Sequence, residues 1–167
     1  KKEELTLEGI QQFYVNTKHS DWKYDVIVDL YDIINVGQCI IYINSKNRIV
    51  DIYNKLLKDN YPVAYITGDR TVPERNEIME QFRSGTIRVL LSSDLLARGI
   101  DIQQLSLVIN FDLPNDKETY IHRIGRSGRY GRKGVAINLV TDRDVQYMKD
   151  IESFYDTEIV EMPQNLE

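Results

Sequence analysis

Short, nearly unbroken apolar runs alternate with amphipathic helical patterns almost from end to end of this chain, and that alternation is the strongest constraint on its fold. Residues 39–43, 62–66, 87–91, 107–111 and 135–140 read as strands buried on both faces, because none carries the polar-apolar alternation of a half-exposed strand. Helical patterns separate them. Residues 45–58 carry Ile49, Ile52, Tyr53, Leu56 and Leu57 in one stripe, and residues 142–155 carry Val145, Met148, Ile151 and Tyr155 in another. Both stripes are read as core packing. Thr71-Val72-Pro73-Glu74 is a capping box with proline in the first turn, so a helix starts there and runs through Ile78, Met79 and Phe82 to Gly85. A further helix spans about residues 22–36, and Ile10 to Val15 alternates as an edge or flanking strand. The expectation is an α/β fold: an open parallel sheet with helices on both faces.

At 167 residues the chain fits one domain, able to bury about two-thirds of its unfolded surface. No apolar run approaches the roughly 20 residues of a membrane span, and no secretory signal follows the charged start, Lys1 to Glu4. Cys39 is the single cysteine, so an internal disulfide is excluded and a zinc site built with only two histidines is improbable. These features point to an intracellular protein.

Charge is unevenly placed. Between His122 and Lys133 lie Arg123, Arg126, Arg129, Arg132 and Lys133, with glycines interleaved and no acid. Those five belong to a total of 21 Lys+Arg, which leaves 16 basic against 26 acidic residues elsewhere. A net charge of −5 argues against coating nucleic acid by bulk electrostatics. Local recognition of phosphate fits better, because arginine offers a planar fork of donors and glycine lets the backbone approach closely.

Polar residues gather after the strands: Asn44-Ser45-Lys46, Thr67-Gly68-Asp69, Ser92-Ser93-Asp94 and Asp112. In an open parallel sheet such loops emerge on one edge, where ligands bind. There is no Gly-x-x-x-x-Gly-Lys-Ser/Thr loop to cradle triphosphate and organise magnesium. The glycines at 125, 128, 131 and 134 do not have the dinucleotide spacing, and neither His19 nor His122 neighbours a Gly-x-Ser-x-Gly elbow.

Ser92-Ser93-Asp94-Leu95-Leu96-Ala97-Arg98-Gly99-Ile100-Asp101, followed 21 residues later by His122-Arg123-Ile124-Gly125-Arg126-Ser127-Gly128-Arg129, resembles motifs V and VI of the DEAD-box RNA helicases. Asn44-Ser45-Lys46 resembles motif IV and Gly68-Asp69 through Arg75 resembles motif IVa. The resemblance covers residues 5–164 and is nearest to the initiation factor 4A subgroup. It implies that the whole chain is the second, C-terminal RecA-like domain of such a helicase, with the ATP-binding N-terminal domain absent.

The same resemblance assigns roles. Arg126 and Arg129 match arginine fingers that reach the γ-phosphate of ATP held by the other domain, whose Mg2+ that domain also holds. Asp101 matches the acceptor from the ribose hydroxyl, and Gly99 lies beside it in the nucleotide-side motif. His122 and Arg98 match groups that couple the nucleotide site to the partner domain. Asn44, Ser45, Lys46, Gly68, Asp69, Arg75, Ser92 and Ser93 match positions along a single-stranded RNA backbone, which hydroxyls, amides and cations hold without reading bases. The implied protein is a monomeric, cytoplasmic, RNA-dependent ATPase, inactive as this fragment alone and docked on a helical-repeat scaffold of the initiation factor 4G type.

Plainer readings stand beside these. Arg98 can cap a helix or pair with Asp101, Asp101 can be a turn residue, Arg75 can pair with Glu74 or Glu77, and Lys46 can be solvated. Val72 stands where the family usually has glutamine and Arg70 where methionine is common. The alternatives at the level of the protein are a nuclear splicing, exon-junction or mRNA-export relative with the same chemistry, and a regulatory module that only docks a scaffold.

Overall fold

Every apolar run that reads as a doubly buried strand enters one parallel sheet in the computed structural model, which describes residues 5–34, 37–93, 105–127 and 134–163. In chain order the described strands are β1 (Leu5–Thr6), β2 (Ile10–Lys18), β3 (Cys39–Tyr42), β4 (Val63–Ile66), β5 (Val89–Ser92), β6 (Leu107–Asn110), β7 (Arg126–Ser127), β8 (Gly134–Thr141) and β9 (Val160–Glu161). The helices are α1 (Lys23–Ile34), α2 (Lys46–Lys58), α3 (Val72–Arg83), α4 (Lys117–Ile124) and α5 (Val145–Tyr155), with 3-10 turns ahead of α1 at Ser20–Trp22 and ahead of α5 at Asp142–Asp144. Seven strands pair in the order β4-β5-β3-β6-β8-β2-β9, all parallel.

Helices cover both faces because the strands bury alternate residues on opposite sides. Ile40, Tyr42, Leu90 and Val108 meet Met79 and Phe82 of α3, Tyr120 and Ile124 of α4, and Met148 and Ile151 of α5. Cys39, Ile41, Leu91 and Ile109 face the other way, onto Ile27 and Leu30 of α1 and Ile49, Ile52 and Leu56 of α2. The expected parallel sheet with helices on both faces is thus the observed one.

Helix starts follow their local chemistry. Ser45 caps α2, and Thr71 caps α3 through the expected box, with Thr71 N donating to Glu74 Oε1 at 2.9 Å and Glu74 N donating to Thr71 Oγ1 at 3.3 Å. Gly85, at φ 86°, ends the turn after α3 in a conformation that side chains resist.

Two expectations need correction. The stretch 10–15 extends to Lys18 as β2 and lies inside the sheet, flanked outside by β9 over only Phe13↔Val160 and Tyr14↔Glu161. Its apparent alternation misleads because Gln12 is buried at 4% exposure, hydrogen-bonded rather than solvated. The helix α4 is an addition to the expected elements. Asp116 caps it by accepting from Thr119 N at 2.8 Å, and it runs directly into the basic segment, so His122 and Arg123 belong to its last turn and not to an open loop.

Candidate functional site

The loops that leave β3 and β6 meet at the carboxyl edge of the sheet around Asp112. Asn44 N donates to Asp112 Oδ2 at 2.9 Å, and Lys23 Nζ, on the first residue of α1, donates to Phe111 O at 2.7 Å and to Asp112 Oδ1 at 3.4 Å. Lys23 is only 4% exposed, so its charge is placed among acceptors and over the Phe111 ring, 5.5 Å from the centroid. Arg48 of α2 lies over the same ring at 4.8 Å and donates to Ser20 O at 2.8 Å. A cleft of about 650 Å³ opens here, lined by Lys23, Asn44, Arg48, Asp112, Asn115 and Tyr147 among others.

Arg123 is the largest surprise. The basic segment reads as phosphate-facing, yet this arginine is 1% exposed and turned inward. Its Nη1 donates to Asn110 Oδ1 at 3.0 Å and to Asp112 O at 2.7 Å, and its Nη2 donates to Asn44 Oδ1 at 2.6 Å. The guanidinium lies 5.0 Å from the Tyr42 ring centroid. From Asn110 the bonds continue to Asn138 Oδ1 at 2.8 Å. Asn138 Nδ2 donates to Phe13 O at 3.1 Å and to Tyr120 Oη at 3.2 Å, and Tyr120 Oη donates to Gln12 Oε1 at 2.8 Å. Burial raises the Tyr120 phenol above its ordinary range.

Asn44, itself exposed, commits its amide to neighbouring loops. Besides accepting from Arg123, its Nδ2 donates to Leu113 O at 2.9 Å. Ser45 caps α2, accepting from Arg48 N at 3.4 Å. Ser92 is fully buried and donates to Ser93 O at 2.7 Å, which corrects its placement among ligand-facing residues: with no exposed surface it shapes the loop, while Ser93 remains partly exposed.

Lys46 and Asp69 pair with each other at 2.7 Å across the loops after β3 and β4. That contact, with the hydroxyl of Thr67, holds the Asp69 carboxyl down at about 2. Gly68 faces open space, with nothing within 4 Å of where a Cβ would stand. Arg70 lies flat on Tyr65, 4.0 Å from the centroid, and meets Glu74 at 3.6 Å. Arg75 makes no ion pair with Glu74, Glu77 or any other described residue. The carboxyl of Glu74 is lowered first by the Thr71 amide, and that of Asp116 by Thr119.

His122 is exposed on the last turn of α4. Past it, Gly125 is wedged against Ile121 and Leu5, and the backbone of Arg126 pairs antiparallel with Thr6 of β1. Arg98, Gly99, Asp101 and Arg129 lie outside the described residues, as does the side chain of Arg126. Among the described residues there is no cluster of three His, Cys, Asp or Glu groups able to hold a metal, and no helix long and apolar enough to cross a membrane. Sequence reasoning missed Lys23, Arg48, Asn110 and Asn138, and read Arg123 together with the phosphate-facing basic segment. Of these, only the two asparagines left a signal, as amides inside otherwise apolar strands.

Comparison with known proteins decides the family. The model of the helicase conserved C-terminal domain matches residues 22–131. The chain belongs to that family. This helicase C-terminal domain is 53% identical over 166 residues to eukaryotic initiation factor 4A of Caenorhabditis elegans, and 57% identical to the ATP-dependent RNA helicase eIF4A of Candida albicans. Both alignments cover 99% of this chain but only 41% and 42% of those relatives. Among solved structures, the C-terminal domain of the DEAD-box protein Dbp5 is similar at 38% identity and a TM-score of 0.85, covering 95% of this chain and 92% of that one. Saccharomyces cerevisiae Dbp5 bound to RNA and ADP BeF3 matches at 38% identity and a TM-score of 0.86, over 95% of this chain and 42% of that one. The helicase C-terminal domain is thus of the DEAD-box type and eIF4A-like, and its sheet is the RecA-like one.

Proposed function

We propose that this helicase C-terminal domain is one half of an ATP-dependent RNA helicase acting in cytoplasmic translation initiation, and that it is inert by itself. Its share of the chemistry is to offer Arg126 and Arg129 to a triphosphate gripped, with its magnesium, by an N-terminal RecA-like domain. In phosphoryl transfer, charge accumulates on the oxygens of the transferred group, and a guanidinium placed there accelerates the reaction by roughly 10³- to 10⁵-fold. Asp101, Gly99 and Arg98 complete the nucleotide side in this reading, and His122 carries the coupling between domains.

Single-stranded RNA is held by its sugar-phosphate backbone along Lys46, Gly68, Arg75 and Ser93, on the positive end of α2 capped by Ser45. An exposed lysine, a half-buried arginine, an open glycine and a hydroxyl form a donor set suited to holding phosphates without reading bases. Binding then closes the two domains, and hydrolysis with phosphate release reopens them. The greater identity to the two eIF4A relatives than to Dbp5 favours the translation factor over an export protein, and a helical-repeat scaffold of the initiation factor 4G type is the partner this implies.

The observation that supports the reading is the gathering of the loops after β3, β4 and β5 at the carboxyl edge of one parallel sheet. The experiment is Arg126→Ala in the protein carrying both domains. RNA-stimulated ATP turnover should fall by about 10³-fold with thermal unfolding unchanged. Near-normal turnover removes the finger assignment.

A further inference from the structure

Two polar side chains of α4, one turn apart on the same face, reach into the sheet and end on one pair of asparagines. Arg123 reaches Asn110 at 3.0 Å and Tyr120 reaches Asn138 at 3.2 Å. Asn110 and Asn138 are register partners on β6 and β8, joined to each other at 2.8 Å, and both are 0% exposed. The positions that flank them along the chain, Ile109, Phe111, Ile137 and Leu139, are apolar, and nothing about a buried parallel sheet requires amides there.

We propose that Asn110 and Asn138 are positioning residues: acting through Arg123 and Tyr120, they fix the register of α4 and so the aim of the Gly125-Arg126 segment that follows it. The idea rests on the reading of Arg126 as a finger.

The physical reason lies in the shortness of α4. Eight residues give it few apolar anchors, chiefly Tyr120 and Ile124, and apolar packing tolerates rotation or sliding of a helix because it is not directional. Hydrogen bonds in a dry interior are directional, and a slipped partner leaves a buried donor unsatisfied. Two such anchors at i and i+3 specify both the rotation and the height of the helix. A phosphate-facing arginine needs that, since an error of about 1 Å in placement lowers a rate by about 10²-fold. The other end of the segment is held independently, by the pairing of Arg126 with Thr6 and by Gly125 against Leu5. The backbone at Gly125 and Arg126 is therefore held between two fixed points.

The test is the double variant Asn110→Val/Asn138→Val. Valine suits a strand, and Arg123 Nη1 keeps Asp112 O and Tyr120 Oη keeps Gln12 Oε1 as acceptors, so the variant loses stability but retains the main partners of both α4 side chains. In this chain, amide exchange of α4 and of the β1–β7 pair should quicken by about ten-fold or more, while β3 and β5 stay protected. In the two-domain protein kcat should fall by about ten-fold or more, with KM for ATP and affinity for single-stranded RNA within about two-fold. Tyr120→Phe, which removes one oxygen and no carbon, should move both readouts the same way by a smaller factor, and it carries the test if the double variant does not fold. Unchanged exchange and unchanged kcat in a folded variant overturn the proposal. If Arg126→Ala in the same protein turns over normally, the finger reading fails instead, and the exchange experiment still judges the clasp on α4 by itself.

Discussion

Arg123 and Asn44 lie 79 positions apart in the chain and meet where the buried guanidinium reaches the carboxyl edge of the sheet, Nη2 to Oδ1 at 2.6 Å. The bond ties the last turn of α4 to the loop after β3, and Arg123 Nη1 ties the same turn to the loop after β6 through Asp112 O. A charge this buried is tolerated because acceptors surround it and the Tyr42 ring lies beneath it.

Arg123→Met tests what that arrangement contributes. Methionine fills much of the volume but donates nothing, so the oxygens of buried Asn110 and half-buried Asp112 each lose a donor, while water can reach that of exposed Asn44. The expected loss is on the order of 3 kcal/mol, and the expected fall in unfolding midpoint about 6–12 °C by circular dichroism. A fall of less than about 2 °C would mean that Arg123 is not structural.

Gly125 and Gly68 should respond oppositely to alanine. A Cβ on Gly125 would stand 2.5 Å from Ile121 O, 2.9 Å from Ile121 Cγ1 and 3.2 Å from Leu5 Cβ, so α4 or β1 must shift. Gly125→Ala is expected to destabilise the chain by about 1–3 kcal/mol in urea unfolding. Gly68→Ala meets empty space and should change stability by less than about 0.5 kcal/mol, yet weaken binding of single-stranded RNA if the backbone passes there. A stable Gly125→Ala variant contradicts the packing described at the end of α4.

The Lys46–Asp69 pair makes a claim about pH. The Asp69 carboxyl is held at about 2 against an ordinary 3.8, so the contribution of the pair is present above about pH 4 and disappears as pH falls through about 2. Both side chains are more than half exposed, and salt screens them, so the readout is the titration itself rather than stability. Carbon NMR should place the midpoint near 2 in the native chain and move it toward 3.8 in Lys46→Ala, stopping short because the Thr67 hydroxyl still donates. A midpoint already near 3.8 in the native chain shows the pair to be open in solution.

Much of the fold was legible along the sequence. The strand cores at 39–43, 62–66, 87–91 and 107–111, the Thr71 capping box and the stripe of α2 are local signals, written in side chains whose period or shape constrains the backbone where they stand. The two misreadings have one cause. Gln12 and Arg123 are polar residues whose partners stand on other elements, outside the local pattern around each, so each looked like surface. A short helix such as α4, with a cap at Asp116 but little apolar periodicity, leaves almost no pattern to read.

For the site the division is similar. Residue type and spacing alone determined that this chain is an α/β domain with polar and charged side chains concentrated after its strands, because those preferences belong to the residues themselves. Only the tertiary structure decided which member of the basic segment turns inward, that Ser92 is buried, that Asn44 joins Arg123, and that Lys46 and Asp69 face each other. Those outcomes depend on which groups the parallel sheet brings within about 3 Å, a distance set by strand order and register and not by neighbours along the chain.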